Sequence, residues 1–363
     1  MTRLICAAIV AACFSATASF ACYGQYTVRA GDTLSAIAAK KLGSIFRYTA
    51  LYEINQNEIG ANPDRLSVGQ VLEIPCDPSG PSGIDWSVMP NPTVLADLTK
   101  IYDIQILDIR SERAVLAGVL PGTISIPYAE WRGPKDNPGQ PPTESRLAEL
   151  VGAAGLRLDQ PIVIVHQKPT QMDSGRAAFV YWLLKSSGAE QIAILRDGYR
   201  GWIDAGLPIS PEAVVLAEYE ASVTFSRDWR ADELDIYGVV TKQIPGQLLD
   251  ARPHSMFERF DKLGAAIATT LPSAESAPVE PLLTFLSGRV EAEDGVNAIK
   301  AFFYEYGPAG ASGPIISFCS SGELGALSWF YASELAGLDN VRLYPESVKG
   351  WADQGANLVP GHL

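Results

Sequence analysis

A block of sequence occurs twice in this chain, and that duplication restricts the fold more than any other feature. Ile106-Leu107-Asp108-Ile109-Arg110 returns as Leu248-Leu249-Asp250-Ala251-Arg252, and Pro161-Ile162-Val163-Ile164-Val165 as Pro314-Ile315-Ile316-Ser317-Phe318. An aromatic-rich stretch at 177–188, AAFVYWLLKSSG, matches ALSWFYASELAG at 326–337. IAILRDGYRGW, closing on Trp202, matches VRLYPESVKGW, closing on Trp351. Short apolar runs read as buried strands and the longer stretches as helices. Their alternation implies two α/β domains, each a parallel sheet flanked by helices. The domains are expected at 93–210 and 236–363, the split falling over 210–236.

Charge removes whole classes of partner. With 28 Lys plus Arg against 41 Asp plus Glu, the formal net charge is −13, which repels nucleic acid and anionic membrane surfaces. Three histidines, no CxxC, no HExxH and no Gly-rich Lys-Ser/Thr loop argue against zinc, haem or nucleotide chemistry, so neither metal nor cofactor is expected.

Residues 1–21 carry Arg3, an apolar run from Leu4 to Phe14 and small residues at a cleavage-like site, the layout of a signal peptide. No later stretch has membrane-spanning length. The mature chain is expected to be periplasmic or secreted. It would keep Cys22, Cys76 and Cys319, and in an oxidising compartment Cys22 and Cys76 are expected to form a disulfide, because they bracket one segment. That leaves Cys319 as a free thiol. A competing reading makes Cys22 a lipidated N-terminus, although Ser19 stands where a lipobox has Leu.

The bracketed segment, 26–75, reads as strand, turn, two helices and a closing strand, a small α+β unit of βααβ order. Asp32 or Thr33 would cap its first helix. Its motifs YTVRAGDTLSAIA, N-x-N and LSVGQVLEIP resemble a lysin-motif (LysM) domain along the whole length. The resemblance implies binding of N-acetylglucosamine-containing glycan such as peptidoglycan, hence cell-wall association. The groove would lie between Gly31-Asp32-Thr33-Leu34 and Asn62-Pro63-Asp64-Arg65-Leu66. Residues 76–92 read as a Pro/Gly/Ser linker.

The duplicated part resembles the tandem rhodanese (sulfurtransferase) family over about 270 residues, on LDIR with VLPGTISIPYAEWR, ILRDGYRGWIDAGLPI, LDAR and SFCSSGELGA. The two repeats differ where the chemistry would sit. After Val165 comes His166; after Phe318 comes Cys319, followed by the short loop Ser320-Ser321-Gly322-Glu323-Leu324. Backbone N–H groups and the dipole of the next helix are expected to depress the Cys319 thiol pKa and stabilise a thiolate or persulfide. The first repeat, with histidine there, is expected to be catalytically silent.

The resemblance implies double displacement through a Cys319 persulfide, with Arg252 contacting the donor anion. The donor would be 3-mercaptopyruvate or thiosulfate, and the acceptor a thiol or cyanide. The C-x-S-G start looks more like the 3-mercaptopyruvate class, with Ser321 bonding the donor. Glu323 departs from both classes: an anion 4 Å away would feel about 4 kcal/mol of repulsion at an effective dielectric near 20. Leu324 replaces the usual Thr or Arg. A cysteine phosphatase is excluded, because the arginine it needs six positions on is Gly325. The reading from another class is a non-enzymatic cell-wall-associated protein with a degenerate rhodanese pair.

Overall fold

A computed structural model describes residues 24–29, 31–42, 48–60, 62, 63, 65–74, 87–260, 262, 267–286, 292–306 and 313–361. The signal segment, Cys22, Cys76 with their expected bridge, and Asp64 lie outside the described residues. The chain divides into two compact units, Met1–Trp86 and Ser87–Leu363. No helix of the described residues is long and apolar enough to cross a membrane.

In the first unit β1 (Gly24–Thr27) is followed by α1 (Leu34–Leu42), α2 (Tyr48–Ile54), the single turn α3 (Gln56–Ile59) and β2 (Val71–Ile74). β1 and β2 pair antiparallel, with Tyr26 opposite Leu72. Thr33 caps α1, its Oγ1 accepting from the Ala36 N–H at 3.1 Å. Asp32 turns the other way and accepts from the Arg29 N–H at 2.7 Å and the Tyr26 hydroxyl at 2.8 Å. Asn55, first of the N-x-N pair, is buried and ties α2 to β2. Its Nδ2 donates to Leu51 O and Glu73 O, and its Oδ1 accepts from the Glu73 N–H at 2.7 Å. Only a primary amide supplies that combination of donors and acceptor. Among the expected glycan-loop residues, Gly31, Thr33, Asn62 and Arg65 are exposed, and Asp32, Pro63 and Leu66 half-buried. Leu34 is buried with Ile37, Leu51 and Leu72, so its side chain fills the core.

The second unit holds both repeats. Its first half runs α4 (Pro92–Leu98), β3 (Gln105–Asp108), α5 (Glu112–Val115), β4 (Thr123–Ser125), a 3-10 turn (Tyr128–Trp131), α6 (Glu144–Ala153), β5 (Ile162–Val165), α7 (Gln171–Ser186), β6 (Ile192–Ile194) and α8 (Gly198–Asp204). The second half runs α9 (Glu233–Val240), β7 (Gln247–Asp250), α10 (His254–Phe257), β8 (Ala268–Thr270), β9 (Ala274–Ser276), α11 (Glu280–Leu286), α12 (Ala292–Tyr306), β10 (Ile315–Phe318), α13 (Glu323–Phe330), β11 (Val341–Leu343), α14 (Ser347–Asp353) and β12 (Val359–Pro360). The sheet orders correspond strand for strand: β4-β3-β5-β6 and β9-β7-β10-β11, all pairs parallel. Every residue of β3 and β5 is buried, as a sheet covered on both faces requires.

The end of the stretch expected as linker is docked on this unit: Val88 O and Pro90 O accept from the Ile194 and Arg196 N–H groups. The connection between repeats is pinned as well. Ser210 bridges Val119, the Ser226 N–H reaches Ser186 O, and the Ala231 N–H reaches Leu343 O on the far sheet.

The two aromatic helices pack on each other, so one core runs through both repeats. Phe179, Trp182 and Tyr181 of α7 share it with Trp329 and Phe330 of α13. Tyr181 and Phe330 meet edge to face at 4.9 Å. The Tyr181 hydroxyl and Lys185 Nζ both reach Glu334 Oε2, at 2.7 and 2.9 Å. This contact lays α7 against the loop that starts α13.

Candidate active site

Both strand ends carry the same brace. In the first repeat the Arg110 Nε and Nη2 hold the Asp108 carboxylate, and Nη2 also donates to Gly118 O at 2.7 Å. In the second, the Arg252 Nε and Nη2 hold Asp250 at 2.8 and 2.5 Å, and Nη2 donates to Thr269 O at 2.9 Å. Recurrence in the repeat without cysteine argues that Arg252 holds the strand end. Nε and Nη2 of Arg252 are thereby committed to these bonds.

A second correspondence frames the loop. The Val348 and Lys349 N–H groups donate to Cys319 O and Ser320 O, as those of Tyr199 and Arg200 donate to His166 O and Gln167 O. Ser347 adds a link the first repeat lacks: its Oγ accepts from the Cys319 N–H at 3.0 Å and donates to Tyr344 O at 3.0 Å. Ser347 has φ 57, a left-handed conformation unusual for serine, at the place where Gly198 has φ 58. Sequence reasoning overlooked Ser347, yet aligning RDGYRGW with PESVKGW sets it opposite a glycine, and that was the available signal.

Cys319 is 2% exposed and the one free cysteine among the described residues. Its Sγ accepts from the Gly322 N–H at 3.2 Å. Burial nonetheless pushes the thiol pKa up, the Glu323 carboxylate adds to the rise, and the N–H groups of Gly325, Ser321 and Gly322 only offset part of it. The expected depressed pKa is therefore corrected: desolvation outweighs the helix start.

The loop residues divide by role. Gly322, φ 101, makes the turn into α13. The Ser321 hydroxyl donates to Glu323 Oε2 at 3.0 Å, which commits its proton away from a donor. Leu324 is buried in the shared core, which accounts for an apolar residue there. Ser320 remains half-buried beside Cys319. A Cβ on Gly325 would stand 2.9 Å from Phe318 Cα, so the position a phosphatase fills with arginine has no room for a side chain. Glu323 is inward-facing but compensated: Arg132 of the first repeat reaches its Oε1 at 2.6 Å.

His166 occupies the matching place in the first repeat. Its Nδ1 lies 3.0 Å from Lys168 O, which assigns the proton to that nitrogen. Burial lowers its pKa to about 4 from 6.5. The unfolded chain therefore binds a proton before the folded one does. This group should lower the unfolding free energy by about 3 kcal/mol as pH falls from 6.5 to 4. Urea titrations of wild type and His166→Gln across that range should diverge by this amount, and parallel curves would show the ring protonates freely. A cavity of about 790 Å³ opens beside His166, and Cys319 does not line it.

These halves have counterparts among known proteins. A LysM domain family matches residues 26–75 and a rhodanese-like domain family residues 91–205. A putative thiosulfate sulfurtransferase of Synechococcus elongatus is 28% identical over 278 residues, 74% of this chain and 83% of that protein. The chain thus carries a LysM domain and a rhodanese-like domain, and its relatives are named sulfurtransferases. A 3-mercaptopyruvate sulfurtransferase of Escherichia coli is 27% identical over 292 residues, 76% of this chain and 94% of its own length. Among solved structures, SseA from Escherichia coli matches with TM-score 0.59 at 22% identity, covering 72% of this chain and 98% of that one. Tum1 from Saccharomyces cerevisiae matches with TM-score 0.61 at 17% identity, covering 76% and 98%. Both share the fold.

Proposed function

We propose that this sulfurtransferase carries sulfane sulfur on Cys319 and that its LysM domain holds it on N-acetylglucosamine-containing cell-wall glycan in the periplasm or outside the cell. The observation that carries the reading is Cys319 between a buried parallel strand and a helix start, with a backbone N–H on its sulfur. The Cys319 thiolate attacks the thiol sulfur of 3-mercaptopyruvate or the outer sulfur of thiosulfate. The donor's bond to that sulfur breaks, its electron pair leaves with pyruvate (as the enolate, then protonated) or sulfite, and Cys319 becomes a persulfide anion. A thiol or cyanide then attacks the outer sulfur, leaves as a persulfide or thiocyanate, and returns the thiolate. The first repeat, with a neutral buried imidazole at the matching position, is silent in this scheme and walls the loop through α7. Arg252 holds the strand end beneath Cys319 and offers Nη1 to a donor anion.

Intact-mass spectrometry tests this. Wild type incubated with either donor should gain one sulfur atom that cyanide removes, and Cys319→Ser should gain none. No gain with either donor on reduced Cys319 would overturn the transfer reading and favour a non-enzymatic wall protein. The same protein should co-sediment with insoluble peptidoglycan through residues 26–75, and failure to do so would overturn the wall attachment.

A further inference from the structure

Glu323 poses an electrostatic problem that the first repeat solves. It stands four positions after Cys319, opens α13, and keeps its side chain 13% exposed. Arg132 is 10% exposed, follows the 3-10 turn of the other repeat, and meets Glu323 at 2.6 Å. The guanidinium lies over the rings of Phe179 and Tyr128 at 5.2 and 5.4 Å, and its Nη1 donates to the Tyr128 hydroxyl at 2.6 Å. Gly175 of α7 makes the approach possible, since a Cβ there would stand 2.8 Å from Glu323 O.

We propose that Arg132, supplied by the repeat without cysteine, is a positioning residue for Cys319: by neutralising Glu323 it lets the loop hold an anionic sulfur and admit an anionic donor. The inference rests on the reading of Cys319 as sulfur carrier, and it makes the silent repeat part of the working site. Other charges around the loop are already matched. Arg176 pairs with Asp173 on α7 and faces the Tyr128 ring, Lys349 is turned to Asp353 on α14, and Arg230 holds Glu346. Glu323 is the carboxylate that acts on the Cys319 thiol, and Arg132 is its cation. Removing Arg132 leaves a buried carboxylate beside the sulfur, which disfavours the thiolate.

The test is a pH titration of the thiolate by its ultraviolet absorbance, each variant read against the same protein carrying Cys319→Ser. Arg132→Gln should raise the midpoint by about one pH unit, a tenfold loss of thiolate at fixed pH. Glu323→Gln should lower it below wild type, and Arg132→Gln with Glu323→Gln should bring it back to wild type or below. Arg132→Lys should fall between wild type and Arg132→Gln. A merely structural Arg132 would give equal shifts with and without Glu323→Gln, and that result, or an unmoved midpoint in both single variants, would overturn the proposal. If Arg132→Gln does not fold, Arg132→Lys, read with and without Glu323→Gln, decides in its place. Because the titration needs no donor, its outcome is independent of whether the wild type loads sulfur.

Discussion

Gly322→Ala is expected to cut Cys319-dependent sulfur transfer at least 100-fold. The residue has φ +101, where an L side chain is strained, and its Cβ would stand 2.9 Å from both Phe179 Cε2 and Pro345 O. Neither neighbour yields easily: Phe179 is locked in the shared core, and Pro345 precedes the segment that braces the loop. The turn must therefore shift, and the N–H that faces the sulfur at 3.2 Å shifts with it. A displacement of about 1 Å in a reacting group is enough for a loss of that size. The variant should also lose about 2 kcal/mol of stability. Steady-state transfer to cyanide and a urea titration read the two effects, and wild-type turnover in Gly322→Ala would show that the loop does not depend on this conformation.

Phe330→Ala should cost about 3–5 kcal/mol, the usual range for emptying a buried aromatic site. Phe330 is fully buried and meets Tyr181 of the opposite repeat at 4.9 Å. The space it vacates lies between α7 and α13, which cannot close without moving the Tyr181–Glu334–Lys185 cluster. Since α13 begins at the sulfur loop, transfer should fall along with stability. Urea unfolding measures the first effect. A loss below about 1 kcal/mol would show that the two repeats do not rely on their common core.

Both substitutions act where the repeats touch, and that boundary divides what was legible beforehand from what was not. Strand, helix and loop order in each repeat followed from local apolar periodicity and turn chemistry, so the sheets and the place of Cys319 at a strand end were readable residue by residue. The Cys319 pKa was not. Helix starts and N–H donors are visible in a sequence, but the desolvation that outweighs them depends on how many distant side chains close over the sulfur.

Glu323 shows the same limit more sharply. Its position argued against an anionic donor, and only the packing of α7 on α13 brings Arg132, 191 positions earlier in the chain, into an ion pair with it. Ser321 and Arg252, expected to face the donor, also bond Glu323 and Asp250, partners the sequence does not reveal. A linear pattern determined what each repeat folds into and which of the two carries a cysteine at the strand end, because hydrophobic period and residue chemistry are local. Which charges meet across the two repeats was decided by the tertiary structure alone, because ion pairing and burial depend on distance in space and not on separation along the chain.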